Sequence, residues 1–469
     1  MKRIKYLVMG ALLLGTAMPA MAQDDVKSQI AAITNAIKAD PTGAAAQVKD
    51  FYKKNKKNPE ALVGLGRAYL AVKDTANARK YGEEAIKRDK KYTPGYILLG
   101  DNEVIKDDGG AAAAWYQQAT YFDPTNPEGY IKYANIYRGR SPEEAVAKLE
   151  EMRTNIPGYP VDAAIGHIYS LSGKVDKAVS AYDKADISKL DDDALAEYAF
   201  SAWLTQDFNK SLNIVNQGLA RKPKSVAFNR IAFYDYTNLK DYDNAEKYAD
   251  ILFNECDSAK FTFTDYLNHG YAVLGNKKYD AAIESFQKVL DEKPDYIEAY
   301  KQIAEAYKGK QDYNKAIEYY QTYLDKLEKK EATDVAALAQ LYEDIADSQT
   351  GDERMQSLKM ADATYDALIN QFEHAAIYGN FRRAILNQSK IDENDVKKGS
   401  ALPHYTKMAE LIEAKADKDA TDKARLIAAY QYIGYYKLLN DAPDYKEYWQ
   451  KVYDLDPTNE NAKKVLDIK

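Results

Sequence analysis

A small residue returns along this chain at nearly fixed steps. Ala44, Ala78, Ala112, Ala145, Ala178, Ser211, Ala245, Ala282 and Ala316 succeed one another at 34, 34, 33, 33, 33, 34, 37 and 34 residues. The words leading to the marks recur too, as in Gly173-Lys-Val-Asp-Lys-Ala178, Gln206-Asp-Phe-Asn-Lys-Ser211, Lys240-Asp-Tyr-Asp-Asn-Ala245, Lys277-Lys-Tyr-Asp-Ala-Ala282 and Gln311-Asp-Tyr-Asn-Lys-Ala316. A period of this length belongs to chains built from one supersecondary unit that cannot bury its apolar face alone and leans on the next copy. With 46% hydrophobic and 29% charged residues, the 469-residue chain can fill such a core.

Each unit reads as two helices. From Glu298 to Lys308 the apolar residues Tyr300, Ile303, Ala304 and Tyr307 recur at helical spacing, and Ala316, Ile317, Tyr320, Tyr323 and Leu324 do the same after the mark. The aspartate or asparagine just after the aromatic is expected to cap the second helix. Pro124, Pro157, Pro223, Pro294 and Pro457 stop second helices, because proline cannot continue one. Gly66, Gly100, Gly166, Ala199, Gly270 and Ala304, midway along first helices, are expected to let the second helix approach at Ala78, Ala112, Ala178, Ser211, Ala282 and Ala316.

The pattern resembles the tetratricopeptide repeat family. First helices carry Leu65-Gly66-x-x-Tyr69, Leu99-Gly100, Ile165-Gly166-x-x-Tyr169 and Ile303-Ala304-x-x-Tyr307; second helices carry Ala112-x-x-x-Tyr116-x-x-Ala119, Ala178-x-x-x-Tyr182-x-x-Ala185 and Ala316-x-x-x-Tyr320-x-x-Tyr323. The resemblance implies an all-α, right-handed superhelical solenoid of helix-turn-helix repeats, used as a platform for other proteins. The regular array of about nine units covers 25–330. Beyond it the metre loosens: Ala361-x-x-x-Tyr365 and Ala401-x-x-x-Tyr405 keep the second-helix word at a spacing of 40, with inserts near Gln349–Glu353 and Asp392–Lys398. Residues 331–469 are expected to be divergent repeats ending in a polar capping helix; the alternative is a separate helical domain.

The start of the chain reads as an address. Lys2, Arg3 and Lys5 precede the apolar run Leu7–Leu14, and Ala20-Met21-Ala22 offers a small-residue cleavage site. Residues 1–22 are expected to be a signal peptide, which places the mature chain in the periplasm, with secretion as second choice. The rival, an uncleaved anchor from Tyr6 to Ala22, has only 17 residues and contains Pro19. No later stretch is apolar enough to span a bilayer. The net charge of −7 gives no general attraction to nucleic acid or anionic lipid.

No catalytic set is visible. Cys256 is the single cysteine, so neither an internal disulfide nor a cysteine-based metal site is expected. His167, His269, His374 and His404 form no i, i+4 pair. Gly64-x-Gly66 lacks the rest of a dinucleotide fingerprint, and the repeat already explains Gly66. Asp191-Asp192-Asp193 suits a helix start better than a cation site, and Asp107-Asp108-Gly109-Gly110 suits a turn. No cofactor, metal or enzymatic activity is expected.

If the units stack as the family's do, first helices line the concave wall. Phasing the repeats puts Arg67, Asp101, Asn135, Arg138, His167, Phe200, Trp203, Arg230, Tyr234 and Tyr271 on that stripe. Of these, Arg67, Arg138, Phe200, Trp203, Arg230, Tyr234 and Tyr271 are the candidate partner-binding residues, because aromatics with arginine nearby suit a peptide groove. The competing assignment for Phe200, Trp203, Arg230 and Tyr234 is inter-repeat core. The 40 tyrosines at large are more simply packing residues with a wetted hydroxyl. The lysine–asparagine clamp by which some family members hold chaperone tails is absent: Val63 and Arg67, then Ile131 and Asn135, stand in its places. The chain is therefore expected to be a non-catalytic periplasmic scaffold binding envelope proteins or peptides. Two alternatives remain: a module for glycans or cell-wall fragments, and an enzyme in the irregular 331–469 region.

Overall fold

The computed structural model describes residues 20–256 and 259–468, and among them every regular element is helical. The expected signal peptide lies, up to residue 19, outside the described residues; α1 (Ala20–Ala39) runs through the expected cleavage point. The chain divides into two compact units, one ending at Leu239 and one spanning Lys240–Lys469.

In the first unit α1 is followed by α2 (Ala45–Asn55), α3 (Pro59–Ala71), α4 (Thr75–Arg88), α5 (Thr93–Ile105), α6 (Gly109–Phe122), α7 (Pro127–Tyr137), α8 (Pro142–Asn155), α9 (Val161–Leu171), α10 (Val175–Tyr182), α11 (Asp192–Leu204), α12 (Phe208–Arg221) and α13 (Val226–Asn238). From α3 on, each helix packs against the next. The second unit holds α14 (Tyr242–Asp250), which runs into a π turn, then α15 (Phe263–Gly275), α16 (Tyr279–Glu292), α17 (Glu298–Gly309), α18 (Tyr313–Lys326), α19 (Ala332–Ser348), α20 (Gly351–Gln371), α21 (Ala376–Leu386), α22 (Leu402–Glu413), α23 (Ala420–Leu439), α24 (Tyr445–Leu455) and α25 (Glu460–Leu466). Each unit is a stack of helical hairpins with a continuous apolar seam.

All nine marks are buried, Ala44 included. The glycines opposite them make room for something larger than expected. A Cβ on Gly100 would lie 2.3 Å from the Tyr116 ring, on Gly166 2.8 Å from Tyr182, and on Gly270 2.6 Å from Phe286. These rings stand four residues after their mark, on the same helix face. The small residue in the first helix thus accommodates the ring, and the alanine lets the backbones come close enough for the ring to reach.

The expected cap is two residues out of register. Five second helices are capped by the aspartate just outside their first residue: Asp74, Asp108, Asp207, Asp241 and Asp312 accept from the backbone amide three residues on, at 3.0, 2.9, 3.0, 3.3 and 3.3 Å, and in the last three that aspartate stands before the aromatic. The asparagine or aspartate after the aromatic sits inside the first turn, where its charge or dipole still complements the helix end. The residue before each cap is left-handed: Lys73, Asp107, Gln206, Lys240, Lys277 and Gln311 have φ between 60° and 64°, and Gly173 has 71°.

In the 331–469 stretch the loosened metre comes from longer helices. α19 and α20 have 17 and 21 residues, against 13 and 14 in α15 and α16, so the expected insert at Gln349–Glu353 is largely the first turn of α20. α25 lays Ala462, Val465 and Leu466 on the cluster around Trp449 and Val452.

Candidate interaction surface

The first-helix stripe is best developed on α9 and α11, which pack side by side in the first unit. One residue past the small position stand His167 and Phe200; five past it stand Leu171 and Leu204. Phe200 is 41% exposed, Leu204 44% and Leu171 48%. Phe200 stacks on Trp203, one turn further along α11, with ring centroids 5.4 Å apart and planes 12° apart. Trp203 in turn meets Tyr234 of α13 at 5.8 Å, and Tyr234 meets Phe233 at 5.4 Å. The four rings run from solvent to core, so the outermost ring is held by fully packed ones. A rigid exposed aromatic of this kind offers contact area at low entropic cost.

Glu197 fixes the polar flank. Its carboxylate accepts from the Tyr182 hydroxyl at 2.8 Å, and its other oxygen lies 2.8 Å from His167 Nδ1. With Glu197 ionised, Nδ1 carries the proton, and Nε2 is left for an incoming group. Burial next to this carboxylate pushes the Tyr182 hydroxyl well above its ordinary range, so it stays a donor.

The other expected residues are not all part of this patch. Tyr234 is only 5% exposed and supports the stack from beneath, which corrects its assignment as a groove residue. The register explains it: one past Ala232 is Phe233, itself buried, so the stripe turns inward at α13. Arg230 is half-buried on the same helix. Arg67 is exposed on α3, away from any aromatic stack. Asp101 is engaged by Lys132 at 2.8 Å and by the Tyr116 hydroxyl at 2.7 Å, and Asn135 accepts from Arg138 at 3.3 Å. Tyr271 belongs to the second unit and is half-buried edge-on against Phe286 at 5.4 Å, as a core residue would be. Leu171 and Leu204 were not anticipated. Their signal is the 33-residue step that joins Arg138, Leu171 and Leu204 at the ends of three successive first helices.

Two side-chain clusters have the outline of catalytic groups. His269 Nδ1 lies 2.7 Å from Ser285 Oγ, but that hydroxyl donates to the Ala281 carbonyl at 2.8 Å inside α16 and is buried. Burial also lowers the His269 pKa. A nucleophile needs access and an uncommitted proton, and this serine has neither. In the second unit Arg382 donates to Glu343 at 2.6 Å, to Gln340 at 2.8 Å and, from Nε, to the Tyr365 hydroxyl oxygen at 3.1 Å. Tyr365 donates to Glu343 at 2.8 Å. The network extends through Lys390, 3.5 Å from Glu343 and 2.7 Å from Asp347, and ties α19, α20 and α21 together. Asp191 caps α11 through the Ala194 amide at 2.8 Å, and Asp192 pairs with Lys222 at 2.6 Å. Among the described residues no three of His, Cys, Asp and Glu gather in metal-binding geometry. No helix among them is long and apolar enough to cross a membrane.

Two family models, each described as a tetratricopeptide repeat, match residues 31–93 and 273–345. The chain is a tetratricopeptide repeat protein. One match falls in each unit of this tetratricopeptide repeat protein, the first on α1 to α5 and the second on α15 to α19. Among solved structures it is similar to the C-terminal part of a TPR repeat-containing protein from Cytophaga hutchinsonii, at 24% identity over 58% of this chain and 99% of that one, with a TM-score of 0.46. It is also similar to a tetratricopeptide repeat protein from Parabacteroides merdae, at 16% identity over 53% and 98%, TM-score 0.35. A third likeness is to Pseudomonas aeruginosa pilF, at 13% identity over 50% and 92%, TM-score 0.32.

Proposed function

We propose that this tetratricopeptide repeat protein is a non-catalytic scaffold that holds a protein partner on the α9–α11 surface. The observation that carries the reading is the solvent-facing Phe200, backed by Trp203 and Tyr234 and flanked by Leu171 and Leu204. Covering one such apolar side chain is worth roughly 1.5–3 kcal/mol, and the packed rings beneath spare the entropy of ordering it. The partner would bring an aliphatic or aromatic anchor to the stack and a hydrogen-bonding group to His167. The sequence of 1–22 supports export, and with it a periplasmic scaffold whose partners are envelope proteins or peptides.

The second reading is a glycan or cell-wall fragment on the same rings. The stacked faces of Phe200 and Trp203 give it its support, since a sugar ring packs on such a face. A thermal shift with purified wall fragments would separate the two, because a ligand of the native state raises the melting point.

Affinity recovery from envelope extract tests the first reading. Replacing Phe200→Ala together with Leu204→Ser is expected to lower recovery of the partner by about tenfold or more. Gln217→Ala, on the exposed side of α12, leaves it unchanged. Equal recovery with both variants contradicts the surface.

A further inference from the structure

The second unit contains a cavity of about 210 Å³. Its walls come from α22, α23 and the segment joining α21 to α22, and six of its residues carry the chemistry: Gln388, Val396, Tyr405, Gln431, Tyr432 and Tyr435. Three tyrosines and two glutamines in one small cavity, with no charged side chain in the lining, is an unusual selection for a chain that is 29% charged.

The polar groups are prepared but unused. The Tyr405 hydroxyl donates to Gln388 Oε1 at 2.7 Å, which fixes the amide and leaves its Nε2 as a free donor. The Gln431 amide makes no hydrogen bond with the described residues. Tyr432 is 4% exposed; the Ala401 amide lies against its hydroxyl oxygen, and the hydroxyl proton finds no acceptor among the described residues. A buried hydroxyl in that condition calls for an occupant. The rings are rigidly set. Tyr405 and Tyr432 lie 4.8 Å apart, and the half-exposed Tyr435 stands edge-on to the buried Trp449 at 4.7 Å. The nearest acids are committed elsewhere: Asp392 accepts from the Ser400 amide and hydroxyl at 2.9 and 2.8 Å, and Asp395 from the Lys397 amide at 3.2 Å.

We propose that this cavity binds one ring of a neutral saccharide. A sugar offers a flat apolar C–H face, which Tyr435 can cover, and an edge of hydroxyl groups, which the two side-chain amides and the Tyr432 hydroxyl can satisfy. The volume admits a single ring. Phosphorylated or acidic ligands find no cation in the lining, and an extended peptide finds no open strand edge or long groove.

Ligand-observed NMR on the full chain tests the assignment, with chitobiose and maltose as neutral probes, glucose 6-phosphate as the charged control and acetyl-trialanine amide as the peptide control. Either neutral sugar is expected to bind with a Kd on the order of 1 mM, as one ring with a few hydrogen bonds allows. Gln431→Ala and Tyr435→Ala, both at partly or fully exposed positions, are expected to weaken it about fivefold or more without changing the melting curve. Absence of binding by both neutral sugars overturns the proposal. So does binding that neither variant weakens, and so does stronger binding of the peptide or of the phosphorylated sugar.

Discussion

Asp235 is the residue whose environment is least like its chemistry. It is completely buried on α13, and neither carboxylate oxygen has a hydrogen bond. Three residues past the small position four other first helices carry Tyr69, Tyr137, Tyr169 and Tyr307; here Ala232 is followed at that step by an acid, as Gly100 is by Glu103, which unlike Asp235 is paired with Lys106 and Arg79. Burial pushes the carboxyl up to about 7, and the neighbouring Ser211 hydroxyl, too poorly placed for a good hydrogen bond, offsets only a part of it. In the unfolded chain it titrates near pH 3.9. Between these values the native state keeps a proton that the unfolded state releases, so stability falls as pH rises from about 4 to about 7 and stays low above that. Over about three pH units the full cost is of order 4 kcal/mol. Asp235→Asn is expected to flatten this decline: urea midpoints of wild type drop between pH 5 and pH 8 more than those of the variant. Parallel profiles would contradict the buried carboxyl. The period aligns Asp235 with four tyrosines but also with Glu103, Ala202 and Val273, so it did not single the residue out. It did not tell Phe233 and Tyr234 apart, because a one-residue error turns a helical side chain through 100°, and only packing decides which ring goes under.

At the scale of the helix, the turns are the best-defined part of the design. A left-handed residue recurs from Lys73 to Gln311, and a capping aspartate with an aromatic at the first helical position completes the turn at Gln206, Lys240 and Gln311. Only Gly173 occupies the left-handed place without a Cβ, and a Cβ there would meet nothing within 4 Å. Gly173→Ala should therefore cost about 1 kcal/mol through backbone conformation alone, and Gln311→Gly should gain somewhat less than about 1 kcal/mol, because relief of strain is offset by a looser unfolded chain. Urea denaturation of the two variants checks the opposite signs. The element boundaries were readable because proline and aspartate act locally. Aspartate and asparagine lie on both sides of the aromatic, and only the one outside the helix, with non-helical backbone, can accept from the amide three residues on, which the sequence does not mark.

At the scale of the whole chain, repetition shows that hairpins lean on their neighbours, but not where the stack divides. The division after Leu239 falls inside a repeat, in the turn between its first helix α13 and its second helix α14, and that turn has the same residues as the others, so nothing local marks it. α25 covers the Trp449 cluster, and a chain stopping at Asp456 is expected to lose about 2 kcal/mol or more of the second unit's stability and to self-associate. Circular dichroism under urea, with light scattering, reads both effects; an unchanged transition would contradict the capping role.

Binding through first helices is the claim on which the functional account rests, and a photo-crosslinker placed at residue 200 reads it directly. In the native source, benzoylphenylalanine at position 200 is expected to yield a discrete protein adduct, and the same probe at position 217 on α12 is expected to yield none. No adduct from 200, or the same adduct from both positions, would contradict it.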